Sequence, residues 1–376
     1  MSEPSASLRA GRKVYLDWLR GVAVIIMVGA HVTDAWTRVE DRKRALYMVT
    51  VFIAGMAAPL FLFLAGLTMA LAASSRAGKA GHAAAAAQAR RRGLQIFALA
   101  FLFRLQSQLL GWGALVNFLK VDILNVMGLA MIAVAILWTL SANRIVRILL
   151  FAIATAAVAM STPLIREAGV LAALPDAIEA YIRPVAGRTN FALFPWTGFV
   201  FAGAIAGELV FAARSEAQER ALQAGFLLSG LAGIVLAFAA SFRPSIYPVA
   251  NFWTSSPTFF FIRLGICTGL IPLASGVDRF HAFLRSRFAI GAGTADVPGR
   301  VVTTLGRSSL FVYWIHVEMA YGGIAMPLKR ALPLELSLVA TAALCALLYK
   351  IVVWKDRKMR DVELTGAWRV LAPILK

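Results

Sequence analysis

The most constraining feature of this sequence is a series of ten mostly apolar stretches, each close to the length that crosses a lipid bilayer. A transmembrane helix needs about 20 predominantly apolar residues. Of the 376 residues, 60% are hydrophobic and only 15% are charged, whereas soluble domains carry about 25% charged residues. We therefore expect an all-α, polytopic integral membrane protein with about ten transmembrane helices in one bundle. The predicted spans are 14–35, 45–73, 94–111, 122–140, 144–162, 190–213, 221–241, 257–275, 302–325 and 334–354.

Two local patterns refine this division into spans. The long second span contains Gly55 and Pro59, which favour a tilt or a kink. Only residues 141–143 separate the fourth span from the fifth, which predicts a tight helical hairpin. The expected organisation is a cytoplasmic tail over 1–13, one transmembrane domain over 14–354 and a basic cytoplasmic tail over 355–376.

The net charge of +19 comes from Lys and Arg residues that lie mostly in short loops between the spans. One side of the predicted membrane carries 24 of these 38 residues and the other side carries 11. The positive-inside rule then predicts a multi-pass protein of the cell inner membrane with both termini in the cytoplasm. The basic loops are typical of contacts with anionic lipid headgroups, so we exclude a nucleic-acid partner. The two cysteines, Cys267 and Cys345, lie in apolar stretches and predict packing roles, with no metal site.

The first span carries four ionisable residues on one narrow face. Helical geometry advances each residue by about 100°, so Asp17, Arg20, His31 and Asp34 fall within an arc of about 100°. Each ionisable group inside a membrane is costly unless it is paired or faces water. This helix is therefore predicted to line a site. His31 lies 11 residues after Arg20, or roughly 16 Å further along the helix.

His31 is the strongest candidate for chemistry, because imidazole accepts and returns protons near neutral pH. Asp34, three residues later, is expected to bond the other ring nitrogen and orient the ring as in a catalytic triad. The alternative is a histidine that only joins two helices by a hydrogen bond. Asp17 and Arg20 are expected to form an intrahelical ion pair, either at a substrate site or as a snorkelling pair at the helix end.

The ninth span supplies a second candidate group. Ser309 and His316 are seven residues apart and share one helix face, with Tyr313 one turn from His316. His316 is interpreted either as a second acid or base that contacts substrate or as an interhelical hydrogen bonder. Glu318 points to the opposite side, so we favour His316.

Further polar residues are expected near the outer surface. Asp122 and Asn125 open the fourth span, where they either cap the helix or bind a polar acceptor. Arg104 and Arg263 lie within the third and eighth spans. Because a charge inside the membrane is costly, each is expected to pair with an acid or to face water, and both are candidate substrate contacts.

Four segments resemble the bacterial relatives of the heparan-alpha-glucosaminide N-acetyltransferase catalytic domain. They begin with the Leu-Asp-Trp-Leu-Arg-Gly-Val-Ala-Val run and continue in the same order as in that family. The spacing from Arg20 to His31 is also similar to the Arg-x10-His signature of the type-three membrane acyltransferases. The four segments are 16–24, 58–66, 122–129 and 305–316.

This resemblance implies an enzyme that transfers acetyl groups from cytoplasmic acetyl-CoA to an extracytoplasmic sugar or glycan hydroxyl or amine. Arg20 would meet the phosphates of the donor, and His31 would act as general base or as an acetyl relay. Asp122, Asn125 and His316 would hold the acceptor. Membrane lipids are further expected partners, and a homodimer is compatible with this reading.

Two rival functions stay open at this point. A transporter or lipid-linked-sugar flippase would use the buried charges as a proton or substrate path, although the sequence shows no convincing internal repeat. A membrane scaffold without enzymatic activity has little reason to bury so many ionisable groups.

Overall fold

The computed structural model describes residues 13–111, 118–288 and 297–360, together with 362, 371 and 374. Regular structure in these ranges is helical apart from two isolated bridges, which confirms the predicted all-α class. The tail over 1–13 lies outside the described residues except for Lys13, and so does most of the tail over 355–376. The α-helices are α1 Val14–Trp36, α2 Ala45–Ala54, α3 Ala57–Ala80, α4 His82–Gly111, α5 Ile123–Thr139, α6 Arg144–Glu167, α7 Asp176–Ile182, α8 Leu193–Ala212, α9 Glu216–Ser241, α10 Pro257–Phe288, α11 Val297–Arg307, α12 Ser309–Tyr321 and α13 Leu334–Lys358.

Among the described residues, seven helical stretches are long and apolar enough to cross a membrane. The protein is therefore a polytopic membrane protein, but the predicted number of about ten spans is not reached. The predicted ninth span is interrupted at Ser308, which separates α11 from the short α12. The predicted fourth span corresponds to α5, which has only 17 residues. The predicted third span is the second half of α4, whose first half is polar and rich in alanine. The seven stretches are α1, α2 with α3, α6, α8, α9, α10 and α13.

The two predicted irregularities are confirmed. The second span breaks at Gly55, where α2 ends before α3 begins. The hairpin between α5 and α6 is closed by Arg147, which donates hydrogen bonds to the carbonyls of Ser141 and Ala142 at 3.2 and 2.9 Å. Asn143 caps α6 through its side chain, which accepts from the Ile145 amide. Local turn chemistry thus sets both connections.

Helix α9 shows the surface expected of a lipid-facing helix. Its exposed residues include Leu228 and Leu236, which are 67% and 69% exposed, and its buried residues are few. Apolar side chains on the outside are favourable in a bilayer and costly in water. The exposure pattern agrees with a membrane environment.

The described residues cluster into two compact units. The histidine unit, named for His31 and His316, comprises Lys13–Ala58, Gln106–Gly113 and Leu273–Lys376. The glutamate unit, named for Glu208, contains Pro59–Leu105 and Ala114–Pro272.

In the histidine unit, α1 is the central helix and packs against α2, α11, α12 and α13. Two glycines permit its close contact with α11. A Cβ atom on Gly21 would collide with the backbone carbonyl of Val302, and one on Gly306 would collide with the carbonyl of Asp17. Glycine at both positions lets the two backbones approach closely. This contact fixes the position of α1 along its axis relative to α11.

The glutamate unit is built around a buried carboxylate. Glu208 on α8 is fully buried and accepts two hydrogen bonds from Arg147 on α6, at 3.1 and 2.8 Å. Trp138 and Ser74 each donate a further hydrogen bond of 2.8 Å to the same carboxylate. A buried charge is tolerated when its lone pairs are satisfied in this way. The network ties α3, α5, α6 and α8 together.

A second charged cluster joins the segment that follows α1 to the start of α13 within the histidine unit. The carboxylate of Asp41, in the 3₁₀ helix Glu40–Lys43, accepts a 2.9 Å hydrogen bond from the Leu334 amide. It also accepts one of 2.9 Å from Arg38 Nε. These two donors stabilise the ionised carboxylate and lower the pKa of Asp41 below its ordinary value.

We predict that alanine substitutions at two glycines of α1 have opposite effects on stability, because only one of the two lies in the contact between α1 and α11. Gly21→Ala should lower the free energy of unfolding by about 1–3 kcal/mol, the usual cost of overpacking. Gly29→Ala is the matched control, because its Cβ would lie 3.4 Å from Thr341 Cγ2, an ordinary contact. Alanine also favours helix formation over glycine, so the control should melt at or above the wild-type temperature. Equal melting temperatures for the two variants would refute the close contact.

The Asp41 cluster predicts a pH-dependent contribution to stability. Because the folded-state pKa is depressed, the stabilisation is present above the unfolded value of 3.8 and is lost as the pH falls through the lower folded pKa. Asp41→Asn should lower the melting temperature by a few degrees near pH 7 and by less near pH 3. The exposed neighbour Glu40 provides the control, Glu40→Gln, for which no such difference is expected. An Asp41→Asn deficit that is constant with pH would contradict this account.

Candidate functional site

The candidate site lies in the histidine unit, where α1 and α12 bring His31 and His316 together. Trp36, the last residue of α1, donates a 2.9 Å hydrogen bond from Nε1 to the Ala320 carbonyl of α12. Beyond α1, Thr37 and Leu332 form a parallel bridge, and the Leu332 amide donates to the Trp36 carbonyl at 2.9 Å. These contacts hold the end of α1 in place and thereby set the position of His31.

His31 and His316 form a direct hydrogen bond. The distance from His31 Nδ1 to His316 Nε2 is 2.8 Å. The ring planes differ by only 4° and the ring centres are 4.9 Å apart. Face-to-face contact would keep ring atoms about 3.5 Å apart or more, so the 2.8 Å approach means that the rings meet edge to edge. This geometry aims a ring N–H of one histidine at the in-plane lone pair of the other.

The tautomer of this pair follows from a backbone carbonyl. His316 Nδ1 lies 2.8 Å from the Val312 carbonyl oxygen, which only accepts hydrogen bonds. In the neutral ring, Nδ1 of His316 therefore carries the proton and Nε2 accepts. The proton of the shared bond then belongs to His31 Nδ1, and the basic lone pair of His31 is on Nε2. A chain of two hydrogen bonds thus defines His31 Nε2 as the proton-accepting atom.

The orientation predicted for His31 through Asp34 needs correction. The partner of His31 Nδ1 is His316, and the Asp34 carboxylate accepts a 2.8 Å hydrogen bond from the Tyr321 hydroxyl. Arg42 donates to the Asp34 backbone carbonyl and lies 3.9 Å from its carboxylate. The side chain of Asp34 is 61% exposed, because the end of α1 directs it outward, whereas His316 is fully buried. Tyr321 contacts both Asp34 and His31, since its ring also packs edge-on against the His31 ring with the ring centres 5.4 Å apart.

Near the start of α1, the predicted ion pair is confirmed. Arg20 lies 3.9 Å from Asp17, whose side chain is buried. Arg307, at the end of α11, lies 3.4 Å from the same carboxylate. The half-exposed guanidinium groups of Arg20 and Arg307 therefore share one buried acid.

Ser309, the other predicted residue at this end, is the first residue of α12 and is partly buried. Its neighbour Ser308 accepts a 3.3 Å hydrogen bond from the buried Lys355. The ammonium group of Lys355 also lies 2.7 Å from Asp356. Basic groups of α11 and α13 thus lie around the serine pair.

In the glutamate unit, the predicted outer group forms a helix cap. Asp122 accepts a 2.8 Å hydrogen bond from the Ile123 amide, and Asn125 accepts one of 3.0 Å from the Asp122 amide. This reciprocal pattern is a capping box. Arg104 donates a 2.8 Å hydrogen bond to Asp122, so its predicted pairing with an acid is confirmed. Asn125 also donates to the Tyr181 hydroxyl at 3.1 Å.

Arg263 has no acidic partner among the described residues, so the first of its two predicted environments is not found. The residue is buried, with a relative exposure of 7%. The guanidinium lies instead over aromatic rings, 4.1 Å from the centre of Phe259 and 5.4 Å from that of Trp196. Aromatic faces attract cations, and these contacts offset part of the cost of burying the charge.

Sequence reasoning missed two polar residues that the structure makes prominent. Tyr321 lies between His31 and Asp34. Its one signal in the sequence was its place in the same predicted span as His316. Glu208 is an acid within an apolar span, which is itself a signal of a buried partner. Its partner Arg147 is one of the 24 Lys and Arg residues that the sequence assigns to the cytoplasmic side. Within the described ranges, no group of three His, Cys, Asp or Glu side chains is arranged to hold a metal ion.

Comparison with protein families identifies the chain. The model of the family described as "Heparan-alpha-glucosaminide N-acetyltransferase, catalytic" matches residues 12–237, which is more than half of the sequence. The matched residues contain His31 and Glu208, whereas His316 lies beyond them. The comparison with curated proteins finds no match. With the α-helical membrane fold and the histidine pair described above, the match shows that this chain belongs to the heparan-alpha-glucosaminide N-acetyltransferase catalytic-domain family of membrane transferases.

Proposed function

We propose that this protein transfers an acetyl group from cytoplasmic acetyl-CoA to a hydroxyl or amine of an extracytoplasmic sugar or glycan. The observation that carries the proposal is the hydrogen bond between His31 and His316 within a chain of this transferase family. A histidine with a defined tautomer and a buried hydrogen-bonding partner is well suited to proton transfer. The family match supports the reaction class.

In this proposal His31 Nε2 takes the proton of the acceptor hydroxyl or amine as that group attacks the thioester carbonyl. The ring then becomes positively charged. The Nδ1–H bond to His316, and the bond from His316 to the Val312 carbonyl, spread this charge along the chain of dipoles. The CoA thiolate leaves and takes up the proton. A covalent route would use the same atom, because Nε2 is also the nucleophilic nitrogen of this tautomer.

The donor is proposed to enter at the start of α1. Arg20 and Arg307 are the cations that would meet its phosphates, since guanidinium groups suit phosphate oxygens. Asp17 holds the two arginines side by side. Ser309 lies at the same end and is a proposed donor contact. The step of 11 positions from Arg20 to His31 corresponds to roughly 16 Å of helix, a distance that a long, flexible thioester donor spans.

The acceptor is proposed to approach from the opposite end of α1, where the Asp34 carboxylate is exposed. This assignment includes an inner-membrane location with both termini in the cytoplasm, as the distribution of Lys and Arg predicts. Asp34 and Tyr321 would contact the sugar there. The acceptor contacts predicted for Asp122, Asn125 and Arg104 stay predictions, since their described bonds are those of a helix cap and its ion pair.

The first prediction of this proposal concerns His31. Purified protein in lipid nanodiscs, given radiolabelled acetyl-CoA and a panel of sugars, should transfer label to an acceptor. His31→Ala should lower the rate at least about 100-fold, because general base catalysis contributes about 10²–10⁴-fold. His82→Gln is the matched histidine control, since His82 packs on Trp138 in the glutamate unit. Unchanged turnover in His31→Ala would refute the proposed role.

The same assay separates the enzyme from a transporter. Label that appears on an acceptor, or on the wild-type protein but not on His31→Ala, supports acetyl transfer. Movement of a sugar across proteoliposomes without any transfer of label would contradict the proposal and favour a transporter or flippase.

The second prediction concerns His316, a positioning residue that acts through His31. His316→Leu removes the acceptor for His31 Nδ1–H and should lower kcat about 100-fold, the scale of a small misplacement of a catalytic group. The KM for acetyl-CoA should stay unchanged, because the donor phosphates bind elsewhere. His316→Gln restores a carbonyl acceptor and should recover part of kcat. Equal losses in both variants, or a rise in KM alone, would contradict this role.

A further inference from the structure

A second site is indicated in the glutamate unit by Arg263, a buried cation with unsatisfied hydrogen-bonding capacity. Its residue exposure is 7%, and its buried Nε has no hydrogen-bond partner in the described part of the chain. The residue lies six positions after the start of α10, about 9 Å along the helix. It is therefore within two turns of one end of a membrane span.

The contacts of Arg263 offset only part of the cost of burying its charge. Its guanidinium carbon lies 4.1 Å from the ring centre of Phe259, 5.4 Å from Trp196 and 5.9 Å from Phe199. Cation–π contacts attract the charge but accept no conventional hydrogen bonds from the five N–H groups. A buried cation ordinarily has a hydrogen-bonded anion.

A second arginine increases the imbalance. The positive charge of Arg166, near the end of α6, opposes that of Arg263. The Nε of Arg166 is also buried without a hydrogen-bond partner among the described residues.

Three other arginines of the same unit are paired with acids. Arg104 has Asp122 at 2.8 Å, Arg147 has Glu208 at 2.8 Å and Arg183 has Glu179 at 2.6 Å. Among the described residues, no acid is paired with Arg263 or with Arg166.

We propose that Arg263 is the centre of a binding site for a phosphate-type oxyanion, with Arg166 adding positive charge nearby. A guanidinium group provides the planar, multiple donors that phosphate oxygens accept best. The rings of Phe259, Trp196 and Phe199 give this site an apolar wall, which suits a phosphate attached to an apolar or ring-containing group. The phosphate belongs either to a soluble ligand or to a lipid headgroup. The proposal does not rest on acetyl transfer.

The test is a thermal-stability titration of the full-length protein in a neutral detergent. Sodium phosphate is compared with sodium chloride at matched ionic strength. A ligand that binds only the folded state raises its stability by RT ln(1 + [L]/Kd). At a phosphate concentration of ten times Kd, the ratio of folded to unfolded protein should therefore rise about tenfold. This rise is measured as a higher melting temperature. A second arm compares nanodiscs of phosphatidylglycerol with nanodiscs of phosphatidylcholine.

Arg263→Gln should lose this rise, whereas the exposed Arg243→Gln control should keep it. A rise with free phosphate identifies a soluble ligand, and a rise confined to phosphatidylglycerol identifies a lipid headgroup. Arg166→Gln serves as the second variant if Arg263→Gln does not fold, and it should weaken the rise.

The proposal is overturned if wild type shows no rise in either arm, or if Arg263→Gln and Arg166→Gln keep the full rise. Acetyl transfer is measured separately on the same samples. A failure of the anion site therefore leaves the proposed enzymatic function untouched, and the reverse also holds.

Discussion

The hydrogen bond between His31 and His316 is the interaction on which the proposed chemistry depends. It joins residues 285 positions apart, so it exists only if α1 and α12 are held at one relative height. Several independent contacts set that height in the histidine unit. Gly21 and Gly306 let α1 lie against α11, and Trp36 binds the Ala320 carbonyl. A small shift would break a bond whose length is 2.8 Å.

The treatment of buried charge is the second organising principle of the molecule. Glu208 is satisfied by Arg147, Trp138 and Ser74, as expected for a charge that folding removes from water. Asp41 is satisfied by a backbone amide and an arginine in the same way. Arg263 is the exception among these groups, which is why it points to a ligand. Compensated charges here stabilise the fold, and the unsatisfied Arg263 is the basis of the proposed anion site.

Local features of the fold were predictable from the sequence because their causes are local. Gly55 marks the break of the second span, and residues 141–143 are too short for anything but a tight turn. Arg104 pairs with Asp122 across 18 positions, and the cost of an unpaired membrane charge predicts that such an arginine seeks an acid. The polar face of α1 also follows from spacing alone. The number of spans did not, because an apolar stretch does not reveal the interruption at Ser308.

The candidate site was predictable only in its parts. Helix periodicity placed His31 and His316 on polar faces, but no local pattern pairs a residue of α1 with one of α12. Asp34 was the nearest acid in sequence, and its expected bond to His31 was replaced by one from Tyr321. Arg263 was expected to pair with an acid or to face water, and the aromatic residues that contact it come from two helices. Tertiary contacts decide these partners, and a single sequence contains no record of them.

The most direct measurement is ¹⁵N solid-state NMR of histidine-labelled protein in lipid bilayers, at a pH where the pair is neutral. The sequence contains four histidines, and spectra of His31→Gln and His316→Gln proteins assign the two signals. We expect His31 to be protonated at Nδ1 and unprotonated at Nε2, and His316 to have the same tautomer with a direct coupling between the rings. A His31 ring that is protonated at Nε2 and unprotonated at Nδ1 would show that His31 does not donate to His316.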